Sequence, residues 1–219
     1  MRFETISVST KCKFTIVRHG ETEWNLSGRW QGHADAPLSE RGETQARALG
    51  KRFKDEAFDA FYVSDLGRAL KTAELMGEAQ EFDFTRDPRL RERDLGVMQG
   101  LTTAEMRERC PDVFDAFRNE GSDYVVPEGE SFRQFYDRCI EALEDYAERH
   151  VGERVLLVTH GGVLGAVFRY VTCLPLEAPR RFALLNCSVN VLEKTSEGWS
   201  MRQWGDVSHL DELESLDDL

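Results

Sequence analysis

Two histidines occupy equivalent positions in this sequence, each at the end of a short apolar run and directly before a glycine. His19 follows the run 13–17 and precedes Gly20, and His160 follows the run 155–158. A neutral imidazole is a competent nucleophile toward phosphorus near neutral pH, and the covalent intermediate that it forms divides the reaction into two steps. These positions suit phosphoryl chemistry at a histidine, although a histidine at a strand end is by itself more often structural or simply exposed.

Arginines near these histidines supply the positive charge that such chemistry needs. The phosphoryl transition state spreads negative charge over its equatorial oxygens, so catalysis consists mainly of positioning and charge stabilisation. Arg18 directly precedes His19, and Arg68 follows a further apolar run at 60–63. Their planar guanidinium groups match phosphate geometry. A protonated His160 would add a third donor, and helix N-termini after the turns would add backbone donors.

The blocks that contain these residues resemble the histidine phosphatase superfamily, also called the phosphoglycerate mutase-like family. The signature of that family begins with R-H-G after the first strand and ends with an asparagine, as do residues 18–25 here. Further matching blocks follow in the family's order at residues 31–39, 63–69, 89–96, 127–131 and 158–162. The segments 186–188 and 205–211 are similar to a bacterial subgroup whose members have been called probable phosphoglycerate mutases, although several relatives behave as phosphatases.

The resemblance assigns a catalytic role to each of five residues. It implies that His19 is the nucleophile and that Arg18, Arg68 and His160 stabilise the transferring phosphoryl group. Glu92 matches the general acid of the family. It would protonate the leaving alkoxide and then activate water against phosphohistidine.

Secondary roles in phosphate binding follow for neutral groups around the nucleophile. We expect Asn25, Gln31 and Gly161 to contact the substrate phosphate, although Gln31 could instead brace its loop. Asp94 is the alternative acid if Glu92 only belongs to a solvated charged run. The remaining histidines have no supporting motif and are predicted to lie on the surface; they are His33, His150 and His209.

A metal site is the competing interpretation of the same side chains. His19, His160 and Glu92 could form a two-histidine, one-carboxylate set. However, the chain has no H-E-x-x-H motif and no carboxylate cluster, and the neighbouring arginines would repel a cation. The five cysteines are scattered, odd in number and form no C-x-x-C pair. We therefore expect no metal, no cofactor and no disulfide framework.

The elements that position these residues alternate along the chain. Strands are predicted at residues 13–17, 60–63, 155–158, 182–185, 189–192 and 200–203. Helices are predicted after the cap residue Ser39, after the cap pair Ser64-Asp65, at the Thr102–Glu105 capping box, within 129–150 and over 163–171. Apolar strands that alternate with helices imply an α/β three-layer sandwich, with a mostly parallel central sheet and helices on both faces. Ligands of such sheets bind beyond the carboxyl ends of the strands, where the two histidines and Arg68 would converge.

Composition limits the partners and the location of the protein. A chain of 219 residues is predicted to form one domain over 1–219, with 95–130 as a lid-like helical insertion and 206–219 as an acidic tail. The formal net charge of −12 makes nucleic acid and anionic membranes poor partners and leaves a small phosphorylated metabolite as the expected one. Without a signal peptide or a long apolar run, the cytoplasm is the expected location. A homodimer is expected from family analogy alone.

The resemblance leaves the reaction open between hydrolysis and phosphoryl shuttling. Cofactor-dependent mutases of the family follow the Glu block with a tyrosine, a lysine and a tandem arginine pair, where this chain has Leu95, Thr103 and a lone Arg118. The acidic, aromatic stretch 114–124 suits a less highly charged phosphomonoester. We therefore favour a phosphatase over a phosphoglycerate mutase. A catalytically silent regulatory or binding protein is a third alternative, which would be expected to have lost one of the five catalytic residues.

Overall fold

A six-stranded mixed sheet forms the centre of the computed structural model, which describes residues 11–79 and 83–210. The strands are β1 (Cys12–Arg18), β2 (Ala60–Val63), β3 (Thr85–Arg86), β4 (Arg154–Thr159), β5 (Val189–Thr195) and β6 (Gly198–Asp206). Their order across the sheet is β3-β2-β4-β1-β5-β6. The first four strands in that order pair in parallel, whereas β5 and β6 add an antiparallel hairpin beside β1.

Helices cover both faces of this sheet. They are α1 (Glu23–Leu26), α2 (Glu40–Phe53), α3 (Gly67–Met76), α4 (Thr103–Arg109), α5 (Pro111–Asn119), α6 (Phe132–Arg149) and α7 (Gly161–Val171). One hydrophobic cluster joins α6 and α7 to the sheet, and a second joins α2 and α3 to it. The predicted α/β architecture with three layers is therefore confirmed.

Alternation of side chains along the buried strands explains why the sheet has two apolar faces. Phe14 and Ile16 of β1 belong to the cluster under α6 and α7, whereas Val17 belongs to the cluster under α2 and α3. In β4, Leu157 belongs to the cluster under α6 and α7, and Leu156 belongs to the cluster under α2 and α3. Successive residues of a strand point to opposite faces, so a strand buried on both faces is apolar throughout.

Several helix starts agree with the local sequence signals. The hydroxyl of Ser39 accepts a hydrogen bond from the backbone N–H of Gly42 at 3.0 Å and caps α2. Thr102 and Glu105 form the predicted capping box of α4. Such caps satisfy backbone donors that a helix N-terminus leaves without partners.

One predicted helix cap and one predicted strand are wrong, whereas the helix predicted after Ser64-Asp65 is present as α3. Ser64 does not cap α3, whose N-cap residue is Leu66 without a side-chain hydrogen bond. The Ser64 hydroxyl instead lies 2.7 Å from Nε2 of His160. Residues 182–185 form no strand, and the Leu184 carbonyl accepts a hydrogen bond from Nη1 of Arg18.

The segment 95–130, predicted as a lid-like insertion, contains a small hydrophobic cluster. Buried residues of this cluster come from both ends of the segment and from its helices α4 and α5; they are Leu95, Met98, Met106, Phe114 and Val126. The predicted acidic tail is folded over 206–210, where Leu210 is buried under α2 and α3. The rest of that tail, 211–219, lies outside the described residues.

In the described residues, no helix combines the length and the apolar character that crossing a membrane requires. All five cysteines are free thiols.

Candidate active site

The carboxyl ends of β1, β2 and β4 meet at a cavity of about 470 Å³. Seven of the eight predicted site residues line it, namely Arg18, His19, Asn25, Gln31, Arg68, Glu92 and Gly161. The eighth, His160, lies beside it, because the centroid of its ring is 5.2 Å from that of His19. The structure therefore brings together residues that span 144 positions of the chain, from Arg18 to Gly161.

Backbone contacts from four segments hold His19 in place. Its N–H donates to the Thr159 carbonyl of β4 at 2.9 Å, and its own carbonyl accepts a hydrogen bond from the Asn186 side chain at 3.1 Å. The next N–H, that of Gly20, donates to the Thr72 hydroxyl of α3. A Cβ atom on Gly20 would lie 2.5 Å from the carbonyl oxygen of Gly42, so only glycine lets α2 approach the nucleophile this closely.

The hydrogen bonding of His19 determines which ring nitrogen is available. Nδ1 lies 2.7 Å from the carbonyl oxygen of Gly20. A carbonyl oxygen only accepts, so Nδ1 carries the proton and Nε2 carries the lone pair. Burial lowers the pKa of His19 well below its ordinary value, and the charges of Arg68 and Arg18 lower it further, against the opposing effect of the Gly20 hydrogen bond. The His19 ring is therefore neutral, and Nε2 is the nitrogen whose lone pair is available.

Arg68 is buried behind the nucleophile and held by the loop 32–35. Its Nη2 donates to the Gly32 carbonyl at 2.8 Å, and its Nη1 lies 3.1 Å from a carboxylate oxygen of Asp35. Its Nε is buried and has no hydrogen-bond partner among the described residues. An unsatisfied buried donor is costly, so a phosphate oxygen at this position would be stabilised strongly.

His160 presents a second unsatisfied buried nitrogen. Nε2 contacts Ser64, and Nδ1 has no partner in the described part of the chain. Burial lowers the pKa of His160 well below its ordinary value, with further contributions from Arg68, His19 and Arg18. The sequence allowed for a protonated His160, but in this structure the ring is neutral. It can supply one N–H to a phosphate, since a hydroxyl can act as donor toward the other nitrogen.

Glu92 is held at the cavity wall by two backbone donors. The N–H of Gly162 donates to Oε2 and the N–H of Arg93 donates to Oε1, both at 2.8 Å. The carboxylate therefore has a fixed orientation at the entrance of helix α7. A Cβ atom on Gly162 would lie only 1.9 Å from Oε1 of Glu92, which explains the second glycine after His160.

Replacing Gly162 by alanine should therefore damage catalysis more than folding. The new methyl group would push the end of the flexible Glu92 side chain away, and we expect a loss of kcat on the order of 10- to 100-fold with little change in Tm. The matched variant is Gly161→Ala, because its Cβ would lie 3.3 Å from Nε of Arg18 and needs only a small adjustment. Phosphate-release kinetics and thermal melts of both variants test this expectation. Equal losses in the two variants would contradict it.

The predicted neutral phosphate ligands differ in how they are held. Asn25 belongs to the capping box of α1, where its Oδ1 accepts hydrogen bonds from the N–H and the hydroxyl of Thr22. Gln31 is buried, and its Oε1 has no partner in the described residues. Gln31 is thus not braced through that oxygen, whereas Asn25 also stabilises the loop that follows the nucleophile.

The three remaining histidines are partly exposed, and each also makes a side-chain contact that the sequence did not predict. His33 braces the Glu92 segment, because its Nε2 donates to the Glu92 carbonyl at 2.9 Å. His150 lies between the Tyr62 hydroxyl and Glu153. His209 contacts the Arg52 side chain at 3.0 Å. Most of these contacts join segments that are far apart in the sequence, and the contact between His150 and Glu153 lies at the end of α6. No local motif predicts such contacts.

The wall opposite the nucleophile contains residues that the sequence did not single out. These are mainly aromatic and cationic side chains, namely Trp24, Arg29, Trp30, Arg93, Phe132 and Phe135. Leu95 and Thr103, which occupy the tyrosine and lysine positions of the mutases, also line the cavity. Arg118 is exposed on α5 and is not a lining residue. Phe117 of the predicted lid is a lining residue, whereas Glu120 and Asp123 are exposed.

The two buried neutral histidines should make folding stability depend on pH. In the unfolded chain they bind protons below about pH 6.5, whereas in the folded chain their lowered pKa values prevent this. The free energy of unfolding should therefore be level above that pH and fall below it, by up to about 1.4 kcal/mol per pH unit for each histidine. Urea unfolding at a series of pH values measures the slope. Below about pH 6.5, the free energy of unfolding of His160→Asn should fall less steeply with decreasing pH than that of the wild-type protein. An unchanged slope would contradict the assignment of His160 as a buried neutral histidine.

Comparisons with known proteins identify the family of the chain. The sequence pattern of the histidine phosphatase superfamily (branch 1) matches residues 14–207. A metal-independent phosphoserine phosphatase of Arabidopsis thaliana is 42% identical over 201 residues, which cover 90% of this chain and 83% of that protein. A probable phosphoglycerate mutase of Salmonella choleraesuis is 39% identical and covers 93% of this chain and 97% of its own. The solved structure of YhfR from Bacillus stearothermophilus superimposes with a TM-score of 0.80 at 36% identity, covering 91% of this chain and 99% of that chain.

Proposed function

The chain belongs to the histidine phosphatase superfamily, branch 1, and from that premise we propose that it is a metal-independent phosphomonoester phosphatase with His19 as nucleophile. Family membership, fold and relatives support phosphatase or mutase activity. One observation carries the assignment of His19. The Gly20 carbonyl accepts a hydrogen bond from Nδ1, so Nε2 of His19 carries the available lone pair. The same cavity also contains Arg18 and Arg68.

In the first step the phosphoryl group moves from the substrate to His19. The lone pair of Nε2 attacks phosphorus opposite the ester oxygen, so the P–N bond forms as the P–O bond breaks. Arg18, Arg68 and the N–H of His160 stabilise the charge on the equatorial oxygens. The departing oxygen takes a proton from the carboxyl group of Glu92 and leaves as an alcohol.

In the second step water removes the phosphoryl group from the enzyme. The carboxylate of Glu92 takes a proton from water as the water oxygen attacks phosphorus. The electrons of the P–N bond return to Nε2, and inorganic phosphate leaves. Glu92 thus serves as acid in one step and as base in the next, and the enzyme returns to its starting state.

The side chains at the mutase tyrosine and lysine positions, Leu95 and Thr103, favour hydrolysis over mutase activity because both are neutral. A mutase must retain its intermediate, which carries two phosphates, through the exchange of its phosphoryl groups. Of the two described arginines in the wall opposite His19, Arg29 is paired with Glu105 at 2.6 Å, which leaves Arg93 as a lone cation where the mutases have a lysine and an arginine pair. A weakly held product with one phosphate leaves the site more readily.

Two activities measured side by side in a chelator test this proposal. The first is phosphate release from a panel of phosphomonoesters, and the second is interconversion of 3- and 2-phosphoglycerate with added bisphosphoglycerate. We expect phosphate release without interconversion. Fast interconversion with little release would establish a mutase instead. If both activities were absent, the result would favour a silent binding protein.

The setting of the enzyme is part of the same proposal. We propose that it acts in the cytoplasm on a small phosphorylated metabolite, without nucleic acid or membrane partners. The five free thiols suit a reducing compartment, and the negative net charge disfavours polyanionic partners. Assembly as a homodimer rests on family analogy, and light scattering of the purified protein tests it.

A further inference from the structure

Arg93 has an unusual environment for an arginine in this wall of the cavity. Its guanidinium lies over the ring of Phe117, 4.9 Å from the centroid, and over the ring of Phe132, 5.8 Å from the centroid. Its Nε and Nη2 donate to the backbone carbonyl of Glu130, both at 3.2 Å. Its Nη1 has no hydrogen-bond partner among the described residues.

No carboxylate in the described part of the chain neutralises this guanidinium at contact distance. The carboxylate of Glu130 is occupied by Arg138, at 2.6 Å, and by the N–H of Asp94, at 2.9 Å. Burial lowers the pKa of Arg93 to about 10, so the side chain is still charged at neutral pH. The nearby charges of Glu130 and Glu92 offset part of the cost of burying this cation. Neither carboxylate pairs with it directly, and aromatic faces compensate for only part of the remaining cost.

Three other arginines of the described chain line the cavity. Arg29 is paired with Glu105, Arg68 is held by Asp35, and Arg18 donates to the Leu184 carbonyl. Arg93 differs from Arg29 and Arg68 because it has no direct ion pair among the described residues. It adjoins Glu92 in the chain, on the side of the cavity where the leaving oxygen must be protonated.

We propose that Arg93 is a specificity residue that binds a carboxylate carried by the leaving group of the phosphomonoester. The inference rests on the proposed phosphatase function, because the leaving group is defined by the positions of His19 and Glu92. A carboxylate a few bonds from the ester oxygen would reach the free edge of the guanidinium. The planar fork would then lie against two phenyl rings and be paired with an anion, an arrangement that stabilises the charge.

Matched substrate pairs isolate the contribution of the carboxylate. O-phosphoserine and O-phosphoethanolamine differ only by this group, and 3-phosphoglycerate differs from glycerol 3-phosphate by carboxylate in place of hydroxymethyl. We expect kcat/KM of the wild-type enzyme to be at least about tenfold higher for the carboxylate member of each pair, mainly through KM.

Two substitutions separate charge from packing. Arg93→Met keeps a long apolar stem between Phe117 and Phe132 but removes the charge, and it should reduce the preference for the carboxylate member to near one. Arg93→Lys keeps the charge and should retain part of the preference. The control is Arg107→Gln, which removes an exposed guanidinium that lies over the Phe114 ring outside the cavity. This control should leave the ratio of kcat/KM values within both substrate pairs unchanged.

The outcomes distinguish this inference from the proposed function. Loss of preference in Arg93→Met, with Tm retained, supports a carboxylate subsite. Equal losses on both members of a pair would show that Arg93 only braces the lid and would overturn the inference. A wild-type ratio near one would overturn it as well. If the wild-type enzyme releases no phosphate from any of these esters or from p-nitrophenyl phosphate, the phosphatase proposal itself fails.

Discussion

Replacing His19 by alanine is expected to abolish the phosphoenzyme and to lower kcat by a factor on the order of 10⁴ or more. The substitution removes Nε2, and the neighbouring His160 cannot take over because its Nε2 contacts Ser64. Mixing enzyme with substrate, quenching in base and detecting phosphohistidine by mass spectrometry measures the intermediate. Steady-state phosphate release measures turnover.

A histidine outside the cavity serves as the control for this experiment. His209 contacts Arg52 near the end of β6, so His209→Ala should keep both the phosphoenzyme and the turnover. Melting curves establish that both variants fold. A phosphohistidine that persists in His19→Ala would transfer the nucleophilic role to another residue, and unchanged turnover would remove the covalent mechanism altogether.

Replacing Glu92 by glutamine should slow the enzyme to an extent that depends on the leaving group. For alkyl phosphates, whose alkoxide must be protonated, we expect kcat/KM to fall by about 10²- to 10³-fold. For p-nitrophenyl phosphate, whose phenolate leaves without a proton, the fall should be closer to about tenfold. The glutamine amide keeps the size of the side chain and can still accept one of the two backbone hydrogen bonds that orient Glu92.

A panel of esters with graded leaving-group pKa measures this dependence directly. The slope of log kcat/KM against leaving-group pKa should become steeper in Glu92→Gln than in the wild-type enzyme. Glu120→Gln is the matched control, because Glu120 is an exposed carboxylate after α5 outside the cavity lining. A parallel loss across the whole panel would give Glu92 a binding role in place of proton transfer.

Much of the fold was predictable because the relevant signals are local. The continuous apolar runs of β1 and β4, the Ser39 cap and the Thr102–Glu105 capping box each lie within a few residues of sequence. Backbone hydrogen bonds and strand pleating act over the same short range. The order of these elements, with histidines after two buried strands, was therefore sufficient to predict an α/β sheet and a site at its carboxyl edge.

Chemical roles were predictable only where a block of residues carried them. His19 and His160 each precede a glycine at a strand end and Arg18 precedes His19, whereas the family resemblance added Arg68 and Glu92. The orientation that makes His19 a nucleophile was not in those blocks. It comes from the fold of the R-H-G turn, which places the Gly20 carbonyl 2.7 Å from Nδ1.

The tertiary structure alone decided which groups partner one another across the chain. Arg18 contacts the carbonyl of Leu184, which lies 166 residues away, and the apolar segment 182–185 forms a loop instead of a strand, with Leu184 buried. The Ser64 hydroxyl binds His160, 96 residues away, instead of capping α3. Arg93 reaches the cavity between Phe117 and Phe132 because α5 and α6 pack beside it. Such pairings depend on the relative positions of whole elements, which local sequence periodicity does not encode.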